Sequence, residues 1–438
     1  MLTDPDHADT ARYVAGWLAG GDDVDDPAEL TLAGLQQFLW YGLPLKWMTE
    51  PGDREVVVEA AARLFEVLDR PRYVALCRSA LTGNILDAYD RSEAAGLRAF
   101  RAALKNSPVE PPDLADFVWG SRMGLEEACA RSYVEDGLEA ALKDGRFEAG
   151  VGMWRATRAR VTAGLLDTER PGYFGQTWRS LIVTERLETW TSATRQSEPL
   201  TGIRSIVANL LLHPVPVPAD AAEVLGPVLW LCDALSTGGA SLTETGNLGR
   251  AFVHLVARES GWWKGLTLPR TELEFYELHT LHALLRTARL AQHEHGRFML
   301  NVPGISSRMN VDDTWARVAR SIAGSDDFAQ AAFETVMCIL LTATGDASWV
   351  DVLDTATTAL AGYGWEQSVR GSSGRELVTG RSVEHATGIG IGRLRLLGGV
   401  RRDGNPGERT VTLTDGGRAL ALTYIRERAA GPRHATTT

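Results

Sequence analysis

From Thr31 onward, apolar residues recur every three to four positions through most of the chain. That is the spacing of helices that bury one face. Residues 55–69 show it plainly: Val58, Ala61, Ala62, Phe65 and Leu68 form one continuous stripe. The same pattern predicts helices over 73–89, 93–104, 113–118, 125–143, 152–165 and 178–195. Pro108, Pro111 and Pro112 mark one loop, and Pro171-Gly172 another. Tryptophans at 40, 47, 119, 154, 178 and 190 are expected to be packing anchors. Residues 1–30 read as an acidic arm with a short helix over 9–18. Residues 31–200 read as a helical N-terminal domain. His213-Pro214-Val215-Pro216-Val217-Pro218 is expected to be extended, because each residue before a proline is pushed out of the helical region. A domain boundary is therefore placed in 196–218, and a helix over 219–235 follows.

The second half repeats a layout. In the first copy, Leu284-Leu285-Arg286-Thr287-Ala288-Arg289-Leu290 leads to a tip at Gly296, then Arg297-Phe298-Met299-Leu300 and a turn at Pro303-Gly304. In the second, Leu396-Leu397-Gly398-Gly399-Val400 leads to Gly407, then Thr410-Val411-Thr412-Leu413 and a turn at Asp415-Gly416-Gly417. Each reads as a helix end, a two-stranded flap and a further helix. Upstream helices are expected over 247–258 and 270–289 in the first copy, and over 327–342 and 349–361 in the second. A trio of short helices leaves one edge of its core open, and a flap with Val411 and Leu413 turned inward closes it. The predicted fold is mainly α: a helical N-terminal domain, winged-helix-like units over 219–325 and 326–429, and a disordered tail over 430–438.

The stretch LRLLGGVRRDG…VTLTDGGRALA resembles the C-terminal half of bacterial winged-helix regulators, including those of the multiple-antibiotic-resistance type. Leu242-Thr243-Glu244-Thr245-Gly246-Asn247-Leu248, with Leu229-Trp230 upstream, resembles the plasmid open-reading-frame-three family, which includes passenger proteins of insertion elements. That resemblance implies a link to mobile elements and brings no catalytic residues. From its own residues the segment reads as structural, with Thr243 or Thr245 capping a helix near Asn247.

A helix that reads DNA needs one packed and one polar face. With Leu273 at zero, Leu278, Leu281, Leu284, Leu285 and Ala288 fall within roughly 140°. His279, His282, Arg286 and Arg289 form a stripe beside them, and Arg297 on the flap adds a phosphate contact. Glu274 and Glu277 oppose this. In the second copy Ile389, Ile391, Leu394, Leu396 and Leu397 are spread around the wheel, which predicts a buried helix weakened by Gly388, Gly390 and Gly392. Its basic residues Arg381, Arg393, Arg395, Arg401, Arg402 and Arg409 are expected on the flap and flanks, and the last three join the stripe and Arg297 as candidates. These eight basic residues are the nucleic-acid-binding candidates.

Charge sharpens the picture. The chain has 438 residues and a net charge of −11. Residues 1–30 hold eight carboxylates and one arginine, whereas 366–438 are at +5. A basic end on an acidic body permits local phosphate contact and argues against whole-chain binding to nucleic acid. The apolar runs are too short to span a membrane and the acidic start is no secretory signal, so a cytoplasmic protein is expected. Cys77, Cys129, Cys232 and Cys338 lack paired spacing and read as reduced thiols in helical contexts. His279-x-x-His282, His293-x-His295 and His254 lack a cysteine cluster or an H-E-x-x-H partner, so no metal or cofactor is expected. Glu272, Glu274 and Glu277 do not share a helical face, so no catalytic pair is assigned. Gly371–Gly374 and 388–392 lack the context of a phosphate or dinucleotide loop. The leading expectation is a non-enzymatic, DNA-associated accessory or regulatory protein. The alternatives are a protein–protein scaffold or dimerisation module with degenerate winged helices, and an enzyme with a site between the halves.

Overall fold

The computed structural model describes residues 5–19, 30–47, 51–194, 197–368, 375–404 and 409–433. The expected Gly-Ser-Ser-Gly loop and most of the expected tail lie outside them. The chain divides into two compact units, residues 1–182 with 433–438 and residues 183–432. The segment 196–218, expected to hold a boundary, therefore lies inside the second unit.

The first unit is helical, with a core that includes Phe38, Trp40, Phe65, Ile85 and Leu138. The helix expected over 73–89 is two helices, Pro71–Cys77 and Ala80–Arg91. Ser79 separates them because its hydroxyl accepts from the Thr82 N–H at 3.1 Å, capping the second. Residues 113–118 are not helical. The Asp113 carboxylate instead accepts from the Trp119 N–H at 3.1 Å, and Leu114 N–H bonds Phe117 O. A short polar side chain has satisfied the backbone locally in place of a helical turn. The chain returns to this unit at its end, where Arg433 O accepts from Arg122 N–H.

The second unit contains the repeat, and both flaps are present. It opens with α1 (Glu198–Leu211). The first winged-helix-like unit is α2 (Gly226–Leu235), β1 (Ala240–Ser241), α3 (Arg250–Glu259), α4 (Tyr276–Thr287), β2 (Ala291–Glu294) and β3 (Arg297–Leu300). Helix α5 (Val311–Arg320) follows. The second is α6 (Asp327–Thr342), β4 (Ala347–Ser348), α7 (Trp349–Gly362), α8 (Gly380–Leu396), β7 (Val400–Asp403), β8 (Thr410–Leu413) and α9 (Asp415–Ala429), with a hairpin β5 (Glu366–Ser368) and β6 (Arg375–Leu377) inserted before α8. The sheets run β1-β3-β2 and β4-β8-β7, all antiparallel. Each flap thus gains a third, two-residue strand from the link between the first two helices. In each, an inward residue seals the helices: Phe298 opposite Ala240, and Val411 opposite Ala347.

Helix α4 buries Leu278, Leu281, Leu284 and Leu285 completely. Each such side chain contributes about 1.5–3 kcal/mol relative to exposure. The helix starts at Tyr276, not near Arg270. Glu272–Glu274 form one 3₁₀ turn, and Leu273 is 65% exposed. The helix expected over 219–235 breaks before Gly226-Pro227, and the one expected from 247 starts at Arg250. Thr243 caps no helix. Its hydroxyl accepts from Asn247 N–H at 3.1 Å and closes a turn.

Candidate nucleic-acid interface

In each winged-helix-like unit, the third helix and its flap are the elements expected to meet nucleic acid. In the first, the surface is less basic than its sequence suggests. His282 is buried, and does not share an exposed stripe with His279, Arg286 and Arg289. The Arg297 guanidinium is committed to structure: its Nε and Nη2 donate to Gly238 O at 3.0 and 2.6 Å, and Nη2 also donates to Gly239 O at 3.0 Å. It ties the flap to the turn before β1. Arg286 and Arg289 remain exposed at the end of α4, with Glu277 and Glu294 on the same helix and flap.

The histidines serve a cluster that the sequence reading did not assemble. Buried Glu272 Oε1 faces His279 Nδ1 at 3.0 Å and His282 Nδ1 at 2.8 Å, while its Oε2 accepts from Leu248 N–H at 2.5 Å. His282 Nε2 lies 3.0 Å from His293 Nε2 on β2. With Nδ1–H donated to the carboxylate, His282 Nε2 is left to accept from His293 Nε2–H. Burial raises the Glu272 pKa, but the bonds from His282 and Leu248, aided by His279, outweigh it and hold the carboxyl below its usual range. In a continuous helix, seven residues would separate Glu272 and His279 by about 10 Å. The 3₁₀ turn brings them together, so the assumed helix from Arg270 concealed the cluster. Among the described residues, no group of three or more His, Cys, Asp or Glu is arranged to hold a metal ion.

The cluster ties the first flap to α4 in a pH-dependent way. His293 is held below its ordinary 6.5 by burial, then by His282 and Arg286, against Glu272. The unfolded chain then binds the proton more readily, so this contribution is whole above pH 6.5 and is lost as pH falls toward the lowered value. Hydrogen exchange in β2 and β3, corrected for intrinsic rate, is expected to accelerate over that interval in the native chain. His293→Gln should remove the pH dependence; an unchanged profile would contradict the assignment.

The second unit departs from expectation in the other direction. Helix α8 is not apolar all round. Ile391, Leu394 and Leu397 are buried, but Arg381, Glu384, His385, Gly388, Ile389 and Arg395 form an exposed edge. Two of its glycines permit close packing: a methyl on Gly390 would overlap the Phe333 ring, and one on Gly392 would overlap Tyr276 Oη of α4. The Thr379 side chain caps the helix within a reciprocal pair with Ser382.

The flap arginines divide by sheet face. Arg401 is exposed and sits opposite Thr412. Arg402 points to the helix side, with its guanidinium carbon 4.3 Å from the centre of the Trp349 ring. Trp349 Nε1 in turn donates to Glu384 at 3.2 Å, and Arg409 O accepts from Trp349 N–H. Burial lowers the Arg402 pKa, Glu384 opposes this, and Arg409 and Arg395 lower it further. Three guanidiniums therefore share one neighbourhood. None of Arg395, Arg401, Arg402 and Arg409 has a side-chain hydrogen bond or ion pair among the described residues. Arg393 behaves differently: it is buried, donates to Ser321 O and Ala323 O at 2.5 and 2.9 Å, and is pushed down to about 10 by burial.

Of the eight candidates, Arg402 and Arg409 come together, Arg401 lies on the other face of their flap, and Arg286 and Arg289 sit apart on α4. His279 and His282 belong to the glutamate cluster, and Arg297 to a structural tie. Arg395, expected on the flanks but not among the eight, is exposed on α8 and joins Arg402 and Arg409, whereas Arg393 is buried. No helix among the described residues is long and apolar enough to cross a membrane. No protein-family model, curated protein or solved structure matches the chain.

Proposed function

We propose that the protein is a non-enzymatic, DNA-associated accessory or regulatory factor whose contact with the phosphate backbone is made by α8 and the second flap. The observation that supports this is the concentration of uncommitted arginines. Helix α8 and its flap present Arg381, Arg395, Arg401, Arg402 and Arg409 against Glu384 and Asp403 among the described residues. Helix α4 and its flap offer Arg286 and Arg289 against Glu277 and Glu294, once Arg297 is set aside. On a chain of net charge −11, such a local excess is the electrostatic footprint of a backbone contact. The mobile-element link implied by residues 242–248 is compatible with this role.

A second reading has one observation of its own. Val302, Ile305 and Met309, just after the first flap, are 78%, 71% and 87% exposed. An apolar ridge of this kind favours a protein partner for the first winged-helix-like unit.

Fluorescence anisotropy with a short labelled duplex tests the first reading. Binding should weaken steeply between about 50 and 200 mM salt. Arg401→Gln with Arg409→Gln should reduce the slope of log K against log salt by about 2, since each phosphate contact contributes about 0.9. An unaltered slope refutes the assignment.

A further inference from the structure

Between Tyr276 of α4, the exposed edge of α8 and β7 lies a recess of about 180 Å³, whose lining includes Tyr276, Glu384, Gly388, Gly392, Arg395 and Arg402. At liquid density it has room for about six water molecules. Arg402 rests over the Trp349 ring at 4.3 Å, and Arg395 lies 5.9 Å from the centre of the Tyr276 ring, at the edge of cation–π reach. A cation–π contact holds a guanidinium near a ring without using its N–H donors. Neither donates to an acceptor among the described residues, and Arg402 Nε is buried without a partner. The terminal donors of both guanidiniums are left without an acceptor beside a recess that the two residues line, an arrangement suited to an anion. Gly388 leaves the recess open, because a methyl there would meet nothing within 4 Å, and Gly392 admits the Tyr276 hydroxyl.

From this we infer that the recess is a seat for one phosphoryl group, held by the forks of Arg395 and Arg402 with the Tyr276 hydroxyl beside them. A planar carboxylate is satisfied by a single guanidinium fork. A tetrahedral, doubly charged oxyanion uses two forks from different directions and a hydroxyl as well. Arg409 adds positive field, and Glu384 is the one opposing charge among the lining residues. Glu384 has a structural reason to be there: it anchors the Trp349 indole on which Arg402 rests. The seat deepens the backbone-contact reading, since a DNA phosphate is one source of the group. A free phosphate monoester is the other.

The test is a titration of the full chain with inorganic phosphate, at constant ionic strength made up with chloride, followed by calorimetry. Saturable binding is expected. Arg402→Gln and Arg395→Gln should each weaken it at least tenfold, and Arg286→Gln, exposed near the other end of α4 from Tyr276, should leave it unchanged. Glu384→Gln keeps an acceptor for Trp349 and removes the opposing charge, so it should tighten binding several-fold, which misfolding would not do. Absence of phosphate binding, binding unchanged in Arg402→Gln, or weaker binding in Glu384→Gln overturns the seat. When phosphate binds, displacement by a short duplex assigns the DNA backbone as the source, and bound phosphate that duplex leaves in place assigns a free phosphate monoester. Salt-steep duplex binding without phosphate binding sinks the seat alone. Phosphate binding without duplex binding sinks the backbone reading alone.

Discussion

Glu334→Ala is expected to destabilise the second unit by about 3–5 kcal/mol, the cost of breaking a buried ion pair from one side. Glu334 lies in the middle of α6 with its side chain 3% exposed. Its Oε1 accepts from Trp190 Nε1 at 3.0 Å and from Arg204 Nη2 of α1 at 2.5 Å. Its Oε2 accepts from Arg428 Nε of α9 at 2.6 Å. Burial alone would raise this carboxyl, but Arg204 and Arg428, with the Arg428 and Trp190 hydrogen bonds, hold it low. One side chain therefore joins three helices and the indole of a fourth. Removing it leaves the Arg204 guanidinium, only 11% exposed, without its counter-charge, while Arg428, 36% exposed, keeps its bond to Gln330 Oε1 at 2.6 Å. Urea denaturation of the second unit's signal would read the loss as a lower midpoint with a similar slope. A loss under about 1 kcal/mol would mean that the site behaves like an exposed pair, and the account of this core would be wrong.

Gly417→Ala is the second large effect, and here two principles pull in opposite directions. Alanine in a helix is favoured over glycine by about 1 kcal/mol. At Gly417, in the first turn of α9, the added methyl would overlap the Gly399 carbonyl. That carbonyl accepts from Thr414 N–H at 3.1 Å, and Gly399 N–H donates to Leu394 O at 2.7 Å. The turn from α8 into the second flap is thus stitched to the start of α9 by backbone alone. No side-chain rotamer can relieve the overlap, so the cost falls near the upper end of the overpacking range, about 3 kcal/mol, and exceeds the propensity gain. The variant should melt lower and show faster hydrogen exchange in β7 and β8. Unchanged or raised stability would show that α9 does not clamp the flap.

How far the sequence was readable depended on whether a local pattern had one physical cause. Both flaps were legible because Gly296 and the Asp415-Gly416-Gly417 stretch, expected as a turn and found as the first turn of α9, punctuate short strands, and because Val411 and Leu413 alternate with threonines. The strands β1 and β4 were not, since two residues carry no alternation, and Ala240 and Ala347 pair only through the fold. The start of α4 was misread because Leu273 is in phase with the buried leucines. It is nevertheless exposed, while Glu272, which by helical spacing shares no face with Glu274 and Glu277, is buried against two imidazoles and the Leu248 N–H. The α8 glycines read as helix-weakening, whereas Gly390 and Gly392 face Phe333 and Tyr276 from elements distant in sequence. Arginines were the hardest. Nothing local distinguishes Arg297, whose guanidinium is spent on two carbonyls, from Arg402, which has no acceptor. Only tertiary placement separates a structural guanidinium from one left for a ligand.

The central claim is that the second winged-helix-like unit, not the first, meets the phosphate backbone. Its most direct test compares two charge-neutralised variants in the duplex-binding assay: Arg401→Gln/Arg409→Gln on the second flap, and Arg286→Gln/Arg289→Gln at the end of α4. The account predicts a salt slope reduced by about 2 for the first variant and unchanged for the second. The reverse result, with the slope lost only when Arg286 and Arg289 are neutralised, would contradict it.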